Sequence, residues 1–213
     1  MAERYPGYDV LAKRNTPSWN AQTRRVIDQR IAVPREPRFF SLTEFRALEA
    51  IAARITPQPS HRPPVPVAAL IDDKLVRHRH DGYRGAGMPR EGDAWQRGLR
   101  ALDAEAQARH SAPFHRLTGA QQDAVLRKVE AGDVQTDAWG GMPPRTFFHQ
   151  RLLADIVRAY WSHPTAWSEI GWGGPASPRG YVRMGYDRRD PWEAREAHGD
   201  DRDAVRQENR RVG

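Results

Sequence analysis

The chain has 213 residues, 38% of them hydrophobic and 29% charged, with 17 prolines and a formal charge of +7. That length gives one domain plus tails, and the composition is lean for a wholly compact domain, so extended segments are expected at both ends. Cysteine is absent, which excludes disulfides, Cys-ligated zinc, thioether-attached haem and iron–sulfur clusters held by this chain.

The positive charge is almost wholly arginine, because Lys13, Lys74 and Lys128 are the only lysines. A basic chain invites a nucleic-acid or membrane reading. Against it, arginines alternate with Asp and Glu along most of the chain, as from Arg183 to Glu208, and no Lys/Arg-only run exceeds two residues. No nucleic-acid partner is expected. No apolar run approaches the roughly 20 residues of a membrane span. Arg24-Arg25 looks like a twin-arginine pair, but Val26-Ile27 gives way at once to Asp28-Gln29-Arg30, so it is not read as an export signal.

In chain order, residues 1 to 17 carry two tyrosines and two prolines with little periodicity, and are expected to form an extended arm. Ser18 or Asn20 can cap a short helix running to about Ala32 and closed by Pro34. Ser41-Leu42-Thr43-Glu44 is a capping-box pattern, opening a helix with Phe45, Leu48, Ala52 and Ile55 at helical spacing and stopping before Pro57. Residues 56 to 66 hold five prolines and are read as a connector. Val65 to Arg77 is a third helix and Glu91 to His110 a fourth, with Trp95, Leu99, Leu102 and Ala106 on one face. Thr118 to Gln121 is a second capping box, opening a fifth helix that ends at Gly132. A sixth starts near Pro144 or Thr146 and carries Phe147, Phe148, Arg151, Leu152, Ile156 and Tyr160. With no alternating strand run, the fold class is all-α: a small helical bundle with extended N- and C-terminal arms. The boundaries are 1–37 for the arm and short helix, 38–182 for the domain and 183–213 for a charged C-terminal tail, either solvated or lying on a partner with Trp192 as its anchor.

Little here spells chemistry. Gly82 to Gly87 superficially suggests a phosphate-binding loop, but its spacing is not G-x-G-x-x-G and no strand precedes it. His61, His78 and His80 lack the spacing of a chelating pair on a helix, so no metal site is expected. His149, His163 and Glu169 form no constellation with a nucleophile, and Gln122, beside the capping Gln121, is read as solvated. No catalytic and no cofactor-binding residue is assigned.

The stretch from Tyr160 to Tyr181 is different. An aromatic pair, Tyr160-Trp161, closes a helix; Ser162-His163-Pro164 follows, then Gly171-Trp172-Gly173-Gly174 and a late proline and tyrosine. Large aromatics in a Gly/Pro-rich loop either fold back on their own domain or meet another protein. This stretch resembles the C-terminal signature of the gluconate 2-dehydrogenase subunit 3 family. It departs in one place: Thr165-Ala166-Trp167-Ser168 stands where the family often has Gly-Asn between the proline and the tryptophan. Other elements resemble the same family in the same order: Phe45 to Glu49, Gly98 to Asp103 and Phe114 to Gln122. The resemblance covers roughly residues 38 to 182.

The resemblance implies a non-catalytic small subunit of a heteromeric oxidoreductase. Its partner would be a large, FAD-dependent subunit of the glucose-methanol-choline type acting on a sugar, glycoside or polyol. The small subunit would stabilise or chaperone that partner, with FAD held there and no cofactor bound by this chain. Relatives with a twin-arginine signal carry the large subunit across a membrane; with none read here, a cytoplasmic complex is expected unless the partner has its own signal. The alternative is a stand-alone helical interaction module or hydrolase. Partner contacts are expected at Tyr5, Tyr8, Trp161, Trp167, Trp172, Tyr181 and Trp192, since tryptophan anchors are typical of interfaces. For Trp161 and Trp172, packing on their own domain is the competing expectation, and Trp172 between its glycines is the favoured core plug.

Overall fold

The computed structural model describes residues 3–211. Among these the fold is all-α, and the nearest approach to a sheet is one isolated parallel bridge between Trp19 and Ser177. The chain divides into two compact units. A bundle unit holds Val33–Pro59 and Pro66–Tyr160, and a terminal unit holds the chain up to Ala32, Ser60–Val65, and the chain from Trp161 onward. The division is therefore not the arm, domain and tail drawn at residues 37 and 182.

The terminal unit begins with a 3₁₀ turn at Val10–Asn15 and then α1 (Ala21–Ile31), whose first turn is closed by the Asn20 side chain accepting from the Thr23 N–H at 2.8 Å. In the bundle unit, α2 (Leu42–Ile55) starts at a complete capping box between Ser41 and Glu44. Next come α3 (Val67–Val76) and α4 (Glu91–His110). Then α5 (Gly119–Ala131) opens with the Thr118–Gln121 box and ends at Gly132 with φ +78°. Both boxes sit where the spacing places them, because a box is a local hydrogen-bond exchange that tertiary structure need not supply.

The sixth helix is interrupted. It is present as α6 (Pro144–Phe147), a π-helical turn (Phe148–Leu153) and α7 (Ala154–Trp161). The wider turn shifts the phase of the side chains that follow, and Arg151 within it is buried. The bundle core gathers on α4, which meets α2, α5 and α6. There Trp95, Phe40, Phe147 and Trp139 form a chain of edge-on ring contacts at 5.8–6.2 Å. Gly98 lets this happen: a Cβ there would lie 2.0 Å from the Phe147 ring. The glycine is needed for the close approach of the ring, not for an unusual φ.

Besides the 3₁₀ turn in the N-terminal arm and the π turn, two α-helices were not expected. The loop after α7 holds α8 (Pro164–Glu169), started by His163, whose Nδ1 accepts from the Thr165 N–H at 3.3 Å, with proline in the first turn. The charged tail holds α9 (Arg202–Asn209), with Val205 and Asn209 buried. Among the described residues, no helix is long and apolar enough to cross a membrane.

Candidate functional site

The residues singled out for partner contact lie in the terminal unit, and it sorts them into a core and a surface. Tyr8 and Trp167, each 1% exposed, form one apolar cluster with Val10, Trp19 and Ile27, while Tyr5 and Trp192 pack against its edge. Trp167 is held on all sides. Its indole N–H donates to the Trp161 carbonyl at 2.6 Å, the Arg30 guanidinium lies 5.7 Å above its ring, and Trp172 stands edge-on at 4.8 Å. Tyr8 donates from its hydroxyl to the Trp192 carbonyl at 3.3 Å, and burial pushes its pKa up.

These placements correct the sequence expectation for Tyr8 and Trp167, whose side chains meet their own chain. The N-terminal arm has an interior because later segments supply one. The Val10 N–H donates to the Ser168 hydroxyl at 3.0 Å, Arg62 donates to the Tyr8 carbonyl at 2.9 Å, and Asn209 donates to the Pro6 carbonyl at 3.0 Å. The plug is also a different tryptophan. Trp172 is 38% exposed, leaning on Trp167, so Trp167 fills the core and Trp172 caps it from outside.

What remains at the surface is concentrated in one stretch. Between Trp161 and Tyr186, exposed large apolar side chains are Trp161, Ile170, Trp172, Tyr181, Val182, Met184 and Tyr186, with Tyr181 at 70% and Tyr186 at 100%. Single exposed apolar residues are ordinary, and a cluster of them is what sets this stretch apart from the rest of the surface. Ile170, Val182, Met184 and Tyr186 were not among the expected contacts, although the run Tyr181-Val182…Met184…Tyr186 in a charged setting could have pointed to them.

The bundle unit holds a second cluster, one with no sequence signal. Asp81, Glu91 and Asp155 bring carboxylate oxygens within 4.8 Å of one another. Cations already occupy that space. Lys74 Nζ lies 2.9 Å from Asp81, 2.6 Å from Glu91 and 3.5 Å from Asp155. Arg151, aimed by the π turn, lies 3.0 Å from Asp81 and 3.3 Å from both Glu91 and Asp155. Arg158 adds contacts to Asp81 and Asp155 at 3.2 and 3.0 Å. Burial would raise the pKa of Asp81, but bonds from Lys74 and Arg151 overcome it and hold the carboxyl at about 2. For deeply buried Asp155 the desolvation wins over the same cations and its pKa is raised. Three carboxylates balanced by three cations need no further cation, and this arrangement reads as a structural ion network. The Trp95 indole N–H, donating to Asp155 at 3.1 Å, ties the network to the aromatic core.

Of the other candidates, His61 lies 3.3 Å from Glu3 and His80 3.4 Å from Glu91. Gly82 to Gly87 is a loop between α3 and α4, and α4 opens with Glu91 and Asp93 in its first turn, which repels rather than cradles a phosphate. His78 and His80 are exposed beyond the end of α3, with ring centroids 5.8 Å apart. Gln122 is buried, not solvated, and donates to the Phe114 carbonyl at 3.1 Å.

The family model for gluconate 2-dehydrogenase subunit 3 matches residues 43–174, more than half of the chain. No curated protein and no solved structure matches the chain.

Proposed function

This chain belongs to the gluconate 2-dehydrogenase subunit 3 family, and from that we propose that it is a non-catalytic accessory subunit of a flavoenzyme complex. The family is a component of a dehydrogenase complex, so a partner is implied. The partner in this reading is a large FAD-dependent subunit of the glucose-methanol-choline type, oxidising a sugar, glycoside or polyol and holding the flavin itself. This chain stabilises that subunit and lines one side of its substrate entrance.

The observation that carries the reading is the exposed apolar run from Trp161 to Tyr186. It lies on a unit whose own core is already filled by Tyr8, Trp19 and Trp167, and Tyr181, Val182, Met184 and Tyr186 stay largely in solvent outside that core. An accessory role also agrees with the charge cluster, where each acid is matched by a base. An obligate interface of this kind buries on the order of 2,000 Å² or more, with a few aromatic anchors carrying most of the energy.

The test is co-expression of the tagged chain with a large flavin-dependent subunit of the glucose-methanol-choline type. Yellow complex should co-purify with the full chain, and a Tyr181→Ser/Tyr186→Ser variant should lose it while keeping its helical melt. Undiminished co-purification by that variant would remove the surface from the proposal. A flavin spectrum on the solitary chain would remove the accessory role.

A further inference from the structure

We propose that a cavity built around Lys13 in the terminal unit binds a small organic carboxylate with a flat, apolar body. The cavity encloses about 320 Å³, and its lining includes Lys13, Gly173, Trp172, Arg179, Asp190 and Trp192. That volume is at the lower end of the roughly 300–1,000 Å³ of small-molecule sites.

Lys13 is the reason to expect an anion. Its side chain is buried, 2% exposed. Among the described residues its ammonium donates no hydrogen bond and forms no ion pair; what faces it is the Trp19 ring at 5.4 Å. A buried charge without a partner is costly, and proteins normally pair it or neutralise it. Burial accordingly pushes the Lys13 pKa down to about 8, with the Glu193 charge opposing. The other lysines are each matched, Lys74 within its network and Lys128 with Asp133.

Both acids that line the cavity accept from donors other than Lys13. Glu193 is held by Arg183 at 3.0 Å, and the Asp190 carboxylate accepts from the Met184 N–H at 2.9 Å. Arg179 donates to the Val182 carbonyl at 3.2 Å and lies 5.8 Å over the Trp192 ring, with no carboxylate partner of its own among the described residues. Among the cations lining the cavity, Lys13 and Arg179 are thus the two that form no ion pair among the described residues. The Tyr8 hydroxyl is committed to the Trp192 carbonyl. Gly173 keeps the approach open, since a Cβ there would sit 2.8 Å from Lys13 Nζ. The indoles of Trp172 and Trp192 supply flat apolar walls for the rest of the ligand.

The inference does not depend on the docking reading, and the two fail separately: docking is scored by co-purification, this site by ligand binding to the chain alone. With three lysines in the chain, trace acetic anhydride followed by peptide mass spectrometry reads each amine, because only the neutral amine takes the acetyl group as acetate leaves. The probe is benzoate, with benzamide as its neutral counterpart. Benzoate at about 20 mM should lower Lys13 acetylation about fivefold relative to Lys128 near neutral pH and raise the apparent Lys13 pKa, and benzamide should do neither. Protection should fade as pH rises past the Lys13 pKa, when the ammonium is lost. Saturation-transfer signals of benzoate should vanish in Lys13→Met and persist in Lys13→Arg. Equal protection by benzamide, or saturation transfer undiminished in Lys13→Met, overturns the proposal. So does a Lys13 already protected in the assembled complex and indifferent to benzoate, which would assign the cavity to an acidic side chain of the partner.

Discussion

Trp167 and Trp172 are five residues apart and differ in what surrounds them. Trp167 is enclosed by Trp19, Arg30 and the Trp161 carbonyl, so Trp167→Ala should cost roughly 3–5 kcal/mol. Trp172 keeps more than a third of its surface in solvent, and Trp172→Ala should cost well under half of that; a thermal melt of both variants checks the order. Lys13 gives a pH signature. Its pKa falls from 10.5 unfolded to about 8 folded, so between those values the unfolded chain binds more protons and stability rises with pH. Lys13→Met should therefore stabilise the chain at pH 7 by on the order of 3 kcal/mol. That advantage should shrink through the window from about 8 to 10.5, as read from urea midpoints across the range.

At the scale of elements, the π turn between α6 and α7 decides where Arg151 points, and Arg151 touches each of the three clustered carboxylates. Arg151→Met removes one cation and leaves buried acids unbalanced, which should cost roughly 3–5 kcal/mol. Arg151→Met/Asp155→Asn, which removes one charge of each sign, should recover part of that loss in a urea titration. The acid limb follows from Asp81. Its folded pKa near 2 lies below the unfolded 3.8, so its contribution is fully present above 3.8 and is lost as pH falls toward 2. Asp81→Asn should flatten acid unfolding in that interval. On α4, Gly98→Ala should be more damaging than alanine at any exposed position of the same helix, despite alanine's better helix propensity, because the Phe147 ring fills the space its methyl would take.

For the molecule as a whole, the two chain ends are parts of one folded unit. Val205 on α9 is fully buried, and the Asn209 amide donates to the carbonyls of Pro6 and Arg195 at 3.0 and 2.9 Å. Deleting the chain after Gly199 should expose the first twenty residues to proteolysis while the bundle unit keeps its helical signal; limited digestion followed by mass spectrometry reports both. Survival of an intact N-terminal peptide would show that the arm does not need α9.

The helix positions of the bundle were readable from the sequence because they depend on local physics. Capping boxes at Ser41 and Thr118, Gly132 at a helix end and the apolar spacing of α4 each act within a few residues. The family resemblance was legible for the same reason, since its motifs lie in those helices and in the aromatic run after them. The tertiary structure alone decided which aromatic is core and which is surface. Tyr8 and Trp167 are far apart in sequence, and only the folded path brings them together with Trp19 and Ile27. It also decided the pairing of Lys74, Asp81, Glu91, Arg151 and Asp155, charges whose positions follow no common period. Lys13 belongs with these. Whether a lysine is solvated or buried depends on what the distant segment from Gly173 to Glu193 lays over it, and no neighbour in sequence carries that information.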